Sequence, residues 1–84
     1  MSDTNYILEK VQGAFRDAFN VNPKVVSIET SPGDIPEWDS VGHLLLASNL
    51  EQSLGISLDV DELMEMENVR EIVRILSAKL SKKV

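Results

Sequence analysis

One stretch of this chain decides its fold: Glu37-Trp38-Asp39-Ser40-Val41-Gly42-His43. It separates a turn-rich segment, residues 31–36, from an apolar run that begins at Leu44. Asp and Ser are both preferred helix caps, so the stretch predicts that a helix begins at about Ser40. A hydroxyl on the first helical turn is exposed and faces the positive end of the helix dipole, where a phosphate is stabilised. The alternative interpretation of Asp39-Ser40 is a plain helix cap.

Helical periodicity continues on both sides of this stretch. A first helix is predicted up to Asn20, which suits a left-handed cap, and Gly13 inside it suggests a close contact with another helix. Its apolar face comprises Ile7, Val11, Ala14, Phe15, Ala18 and Phe19. The second helix is expected from about Ser40 to Leu54, with Gly55 closing it. Its predicted buried stripe comprises Val41, Leu44, Leu46, Ala47, Leu50 and Leu54.

The remaining segments complete an all-α pattern without strand signals. Residues 59–66 form a short acidic segment that needs tertiary support to be helical. Asn68 is expected to cap a last helix whose apolar residues are Val69, Ile72, Val73, Leu76 and Leu80. The long first loop, residues 20–38, contains apolar residues that favour a packed loop. The sequence therefore predicts one domain, residues 1–84 with an ordered core of about 4–80: a small antiparallel bundle of three main helices plus one short helix.

The charge distribution limits the partners that this chain can bind. The formal net charge is −6, and residues 29–69 contain ten carboxylates without a single Lys or Arg. Such a segment repels nucleic-acid phosphates, so no nucleic-acid partner is expected. The acidic segment is either a solvated surface or a docking face for basic patches on other proteins.

Two further features of the sequence bear on the cellular location of the protein. The N-terminus is polar without a basic start, and the longest apolar run, residues 44–47, is too short for a bilayer. The absence of cysteine removes disulfides and thiolate metal sites. We expect a cytoplasmic monomer without membrane insertion.

The chain resembles the acyl carrier protein family. Asp39-Ser40-Val41 is similar to the Asp-Ser-Leu signature around the serine that carries phosphopantetheine in that family. The order of helix, long loop, serine at a helix start, short acidic helix and final helix matches the family over about residues 4–80. Residues that fall at core positions of the family are Leu46, Leu50, Leu54, Ile56, Leu58, Met66, Val69 and Val73.

This resemblance implies a carrier and not an enzyme. A separate transferase would attach phosphopantetheine from coenzyme A to Ser40, and Asp39 would help that transferase to place its magnesium ion. The thiol of the arm would then hold an acyl group as a thioester. His43 could contact the phosphodiester or a partner's carboxylate, or could be an ordinary half-packed residue. Trp38 could cover the arm or pack the loop onto the second helix.

The resemblance also implies partners and a cargo site. The expected partners are a phosphopantetheinyl transferase, an acyl-loading ligase, and synthase or acyltransferase enzymes. The residues predicted to contact them are Glu37, Val41, Leu45, Asp61, Glu62 and Glu65, of which Glu62 and Glu65 are expected to be exposed and Leu45 could instead be buried. A pocket between the second and third helices is predicted from Leu46, Leu50, Leu63 and Met66. Core packing is the alternative for Met64 and Met66.

Several alternatives stay open at this stage. Ser40 and His43 do not make a hydrolase, since no Gly-x-Ser-x-Gly motif is present and one helical turn orients no triad. One histidine and no cysteine leave few metal ligands. An unmodified acidic docking module is a rival function, and the cargo could be acyl, polyketide, aminoacyl or peptidyl. Gly42 and Leu45 stand where fatty-acid carriers commonly show acidic residues, which favours a specialised lipid or secondary-metabolite pathway.

Overall fold

Four helices and two short turns make up the fold. The computed structural model describes the backbone of residues 3–82 and the side chains of residues 5–80. The helices are α1 (Asp3–Phe19), α2 (Ser40–Leu54), α3 (Val60–Glu65) and α4 (Val69–Lys82), with single 3-10 turns at Pro23–Val25 and Pro32–Asp34. No strand occurs within residues 3–82, so the predicted all-α bundle of three main helices and one short helix is confirmed. The extreme ends of the predicted domain, residues 1–2 and 83–84, lie outside the described residues.

The helices end at the capping residues that the sequence indicates. Asn20 adopts a left-handed conformation (φ 56°) and donates its amide to the Arg16 carbonyl (2.8 Å). Gly55 closes α2 with φ 66°. The Asn68 side chain accepts a hydrogen bond of 2.9 Å from the Glu71 amide in the first turn of α4. These local interactions set the helix lengths, because each satisfies a backbone group that the helix itself leaves unpaired.

The core lies where α1 packs against α2 and α4. Phe15, which is fully buried, contacts Phe19 and Trp38 edge to face, with ring centroids 5.6 Å and 4.9 Å apart. Other fully buried side chains come from all three long helices: Ile7, Val11, Leu46, Leu50, Val69, Ile72 and Leu76. Burial of these side chains is the main stabilising term in a small chain without cysteine.

The first loop is packed onto this core. Val26, Ile35 and Trp38 are buried, in agreement with the expectation for a loop containing apolar residues. Gln12 of α1 donates a 2.8 Å hydrogen bond to the Val26 carbonyl. The carbonyl of the buried Thr30 accepts a 3.0 Å hydrogen bond from the Val69 amide at the start of α4. The loop is therefore held to both α1 and α4, which positions its last residues against α2.

Helix α2 buries only part of the predicted stripe: Leu46, Ala47 and Leu50 are buried as expected, and Leu54 packs against the core. Gly42, Leu46, Ala47 and Leu50 are its buried residues. Val41 and Leu44, which the periodicity placed in the core, are 77% and 60% exposed. The prediction was wrong for Val41 and Leu44, because α2 carries more apolar residues than one face can bury and the pattern could not choose among them. The close packing of Gly42 against the loop decides the orientation.

Gly13 also differs from its expected role. A methyl group added at this position would meet nothing within 4 Å, so no helix approaches α1 there. The expectation of a close helix contact at Gly13 was wrong, and the packing does not require a glycine at this position.

Arg74 of α4 forms one ion pair within its own helix and one with α3. Arg74 lies 2.7 Å from Glu71 and 3.6 Å from Glu65. The hydrogen bond to Glu71 and the charge of that carboxylate raise the pKa of Arg74 above its ordinary value, so this side chain stays charged.

None of the helices within residues 3–82 is long and apolar enough to cross a membrane.

Candidate functional site

Ser40 is an exposed residue at the first position of α2. The preceding residue, Asp39, is the helix cap, and its Oδ1 accepts a 2.8 Å hydrogen bond from the Gly42 amide. Its carbonyl accepts a hydrogen bond of 2.7 Å from the His43 amide. Asp39 thus caps the helix with its own side chain, and the neighbouring Ser40 is exposed to solvent.

Gly42 allows the loop to lie directly on the start of α2. A methyl group here would collide with the Glu37 carbonyl and would lie 2.8 Å from a ring carbon of Phe19. It would also lie 3.3 Å from Oδ1 of Asp39, the atom that caps the helix. The absence of a side chain at Gly42 therefore holds the loop, the cap and Ser40 in one arrangement. In the sequence Gly42 stands out only as a departure from an acidic pattern.

Trp38 and His43 form a hydrogen-bonded chain that reaches from the loop to α3. Nε1 of Trp38 donates to Nδ1 of His43 at 2.9 Å, and Nε2 of His43 lies 2.8 Å from the Leu63 carbonyl. The two ring planes are inclined by 21°, with centroids 6.1 Å apart. Trp38 is 4% exposed, so it packs the loop, and both ring nitrogens of His43 are already bonded.

A groove of about 540 Å³ opens beside Ser40, between α2 and α3. Most of its surface is apolar. Its lining residues are Pro32, Trp38, Asp39, Ser40, His43, Leu44, Val60, Leu63, Met64 and Met66. Leu63 and Met66 were predicted here, whereas Leu46 and Leu50 lie in the core (1% and 0% exposed) because their face of α2 points towards α1.

Leu44 and Val60 were not predicted to line the groove, and for Met64 the sequence left core packing open as an alternative. They are 60%, 69% and 72% exposed, which is unusual for side chains of this size. A signal for Leu44 was present in the sequence, since the run at residues 44–47 holds more apolar residues than one helix face can bury. Nothing in the local sequence distinguishes Val60 or Met64 from core residues.

The predicted partner-contact residues fall into two groups. Val41 and Leu45 are exposed apolar residues on the outer face of α2, and Glu37, Asp61 and Glu65 are exposed carboxylates. Glu62 is different, because its side chain is only 24% exposed and both of its carboxylate oxygens lie 2.9 Å from Nζ of Lys79. It also accepts a 3.0 Å hydrogen bond from the Asp59 amide. The expectation that Glu62 is an exposed surface charge was wrong.

Much of the acidic segment serves the fold itself. Asp34, Asp39, Glu51, Asp59 and Glu62 accept hydrogen bonds from backbone amides, and Glu65 pairs with Arg74. Four carboxylates remain exposed without a recorded partner among the described residues: Glu29, Glu37, Asp61 and Glu67. The charge available for docking is therefore smaller than the composition indicates.

The geometry fits a covalently attached, flexible anionic arm. Its requirements are an exposed hydroxyl at the positive end of a helix of 15 residues and an open apolar surface within reach of it. A helical bundle with these features is suited to be a carrier, a protein that presents a side chain for attachment of a prosthetic group.

The comparison with known families identifies the group. The family model described as "Phosphopantetheine attachment site" matches residues 9–76, so the chain belongs to the phosphopantetheine-binding family that includes the acyl carrier proteins. Phosphopantetheine is accordingly its covalent cofactor. Domains of this family carry intermediates for modifying and synthase enzymes and are not themselves catalytic. No curated protein matches the chain as a relative.

Proposed function

We propose that this protein is a discrete acyl carrier protein and that Ser40 is the residue to which phosphopantetheine is attached. One observation carries the proposal: the exposed Ser40 hydroxyl stands at the start of α2 and at the edge of the apolar groove. When bound, the group supplies a thiol that holds cargo as a thioester. Ser40 anchors this group, and Asp39 fixes the helix start from which the serine projects.

The groove favours an acyl cargo over an aminoacyl or peptidyl cargo. Its walls are mainly Leu44, Val60, Leu63, Met64 and Met66. An aliphatic chain gains about 0.8 kcal/mol for each methylene group buried there. A free ammonium group would lose water against these walls, and the one carboxylate among the lining residues, that of Asp39, already accepts the Gly42 amide hydrogen bond. A volume of about 540 Å³ is in the range of small-molecule sites.

The surface around Ser40 supports contact with partner enzymes. We infer that a phosphopantetheinyl transferase, an acyl-loading ligase, and a synthase or acyltransferase bind the outer face of α2 through Val41 and Leu45. Glu37, Asp61 and Glu65 are exposed carboxylates whose negative charge suits basic patches on these partners, although Glu65 also pairs with Arg74. An apolar α2 fits partners of a specialised lipid or secondary-metabolite pathway. The monomeric state and the cytoplasmic location stay predictions from the sequence.

Mass spectrometry tests the attachment site. The chain is incubated with coenzyme A, magnesium and a broad-specificity transferase, and the phosphopantetheine mass increment is measured. We expect wild type and Ser48→Ala, a change at an exposed position on the same helix, to be modified, and Ser40→Ala to be unmodified while keeping its helical circular dichroism. Modification of Ser40→Ala would move the site elsewhere. An unmodified wild type would favour the unmodified docking module.

The cargo is tested on chains loaded with an octanoyl or an alanyl group. A thioester whose acyl group lies in the groove is less accessible to hydroxylamine than a thioester whose acyl group lies in solvent. We expect the octanoyl thioester to be cleaved several-fold more slowly than the same thioester on free pantetheine, and the alanyl thioester to show no protection. Equal protection of both would contradict the preference for an acyl cargo.

A further inference from the structure

We propose that Trp38 and His43 are positioning residues that hold α3 against α2 and so set the opening of the groove beside Ser40. They do this through the hydrogen-bonded chain from the Trp38 indole through the His43 imidazole to the Leu63 carbonyl. We call this Trp38–His43–Leu63 arrangement the latch. Its importance for cargo rests on the proposed function, but its existence does not.

The hydrogen bonds that link Trp38, His43 and Leu63 can be donated in only one direction, from Trp38 towards Leu63. An indole nitrogen is a donor and never an acceptor, so Nδ1 of His43 must carry the lone pair that faces Trp38. In a neutral imidazole the hydrogen then lies on Nε2, which donates it to the Leu63 carbonyl. Trp38 thereby selects the tautomer that can bind α3. Loss of the indole N–H would remove this selection even if the aromatic ring remained.

Helix α3 depends on such polar ties because it has little else to hold it. It has six residues, too few for an isolated helix to be stable in water, and none of them is fully buried. Val60 and Met64 are exposed, and Leu63 is half-buried against the core. The His43 hydrogen bond joins α3 to α2, and the Glu62–Lys79 and Glu65–Arg74 pairs join it to α4.

The link of α3 to α2 and its links to α4 have different consequences for the groove. His43 contributes to the α2 side of the lining, and Leu63 to the α3 side, so their hydrogen bond joins the opposite walls. Lys79 is not among the lining residues. Breaking the His43 bond should therefore free the α3 wall next to Ser40, whereas an exposed residue on α2, such as Gln52, should have no influence on it.

The first test uses the protein without attached phosphopantetheine and needs no cargo. Amide hydrogen exchange is measured by NMR in wild type, in His43→Phe, in Trp38→Phe and in the control Gln52→Ala. We expect the Leu63 and Met66 amides to exchange about tenfold faster in both latch variants, as for the loss of one hydrogen bond, with the control unchanged. Exchange in α1 should be unchanged in His43→Phe, whereas Trp38→Phe also alters the packing on Phe15. Exchange within twofold of wild type in both variants would overturn the proposal.

The second test does not depend on a variant that folds. Nitrogen-15 spectra of the wild-type imidazole show which ring nitrogen bears the hydrogen. A merely structural histidine has no required tautomer here, whereas the latch requires hydrogen on Nε2 and none on Nδ1 at neutral pH. Hydrogen on Nδ1 would overturn the proposal whatever the stability of the variants.

The consequence for cargo is measured on chains carrying an octanoyl group. We expect hydroxylamine to cleave this thioester several-fold faster in Trp38→Phe than in Gln52→Ala. Unchanged cleavage together with faster α3 exchange would overturn the link between the latch and the groove. If Ser40 proved not to be the attachment site, the exchange and nitrogen-15 results would still decide whether the latch exists.

Discussion

Glu62 and Lys79 join α3 to α4 through two contacts of 2.9 Å, one to each carboxylate oxygen of the glutamate. Their side chains are 24% and 26% exposed, so this pair is less screened by solvent than a surface ion pair. Glu62 also accepts the Asp59 amide hydrogen bond at the start of α3. Glu62 is therefore a structural residue, although its type and its acidic surroundings suggest a docking charge.

Reversal of the charge at Glu62 should destabilise the fold. We expect Glu62→Lys to lower the free energy of unfolding by about 1–2 kcal/mol, because it removes a cap and places two cations together. Urea denaturation followed by circular dichroism measures this change. The matched control is Asp61→Lys, an exposed neighbour, for which we expect at most about 0.5 kcal/mol. Equal effects of the two changes would contradict the structural role of Glu62.

The docking role of the acidic surface is tested on charges that the fold does not use. Glu37 and Asp61 are exposed without a recorded partner among the described residues. We expect Glu37→Lys combined with Asp61→Lys to raise the KM of the transferase several-fold at low ionic strength, with kcat little changed. The difference should fade as salt screens the charges. Glu9→Lys on α1 is the control, and a KM independent of salt in all variants would rule out an acidic docking face.

The order and bounds of the helices could be predicted because their signals are local. Asn20, Gly55 and Asn68 lie at helix ends and act through neighbours within four residues. The start of α2 was predicted for the same reason, since Asp39 is a strong capping residue next to a turn-rich loop. Ser40 was thus singled out correctly as an exposed residue at a helix start.

The rest of the site depends on contacts between residues far apart in the chain. His43 bonds to Leu63, twenty positions away, and Glu62 bonds to Lys79, seventeen positions away. Periodicity carries no information on such pairs. The exposure of Val41 and Leu44 on α2 was missed for another reason: Gly42 has no side chain to contribute to a hydrophobic pattern, yet its close packing sets which side of α2 faces the core.

Gly13 offers a stabilising substitution. It lies in the interior of α1, and a methyl group at this position meets nothing within 4 Å. We expect Gly13→Ala to raise the free energy of unfolding by about 0.5–1 kcal/mol, since alanine restricts the unfolded chain and favours the helix. For a chain of this size that corresponds to a rise in Tm of about 2–8 °C. A lower Tm would indicate a neighbour at Gly13 that the structure does not contain.

The same substitution at Gly42 should have the opposite effect. Alanine again gains about 1 kcal/mol of helix propensity, but the methyl group would collide with the Glu37 carbonyl, which is backbone and cannot rotate away. Overpacking of this kind costs about 1–3 kcal/mol, so the clash outweighs the propensity gain. We expect Gly42→Ala to destabilise the chain.

The clash at Gly42 should also reach the attachment site, because the loop, the Asp39 cap and Ser40 share one arrangement. We expect the transferase to modify Gly42→Ala with a kcat/KM reduced about tenfold or more, even at temperatures where the variant stays folded. Gly13→Ala serves as the matched control for both readouts, urea denaturation and the rate of mass increase. If Gly42→Ala were modified at the wild-type rate, the loop contact would contribute to stability alone and not to the presentation of Ser40.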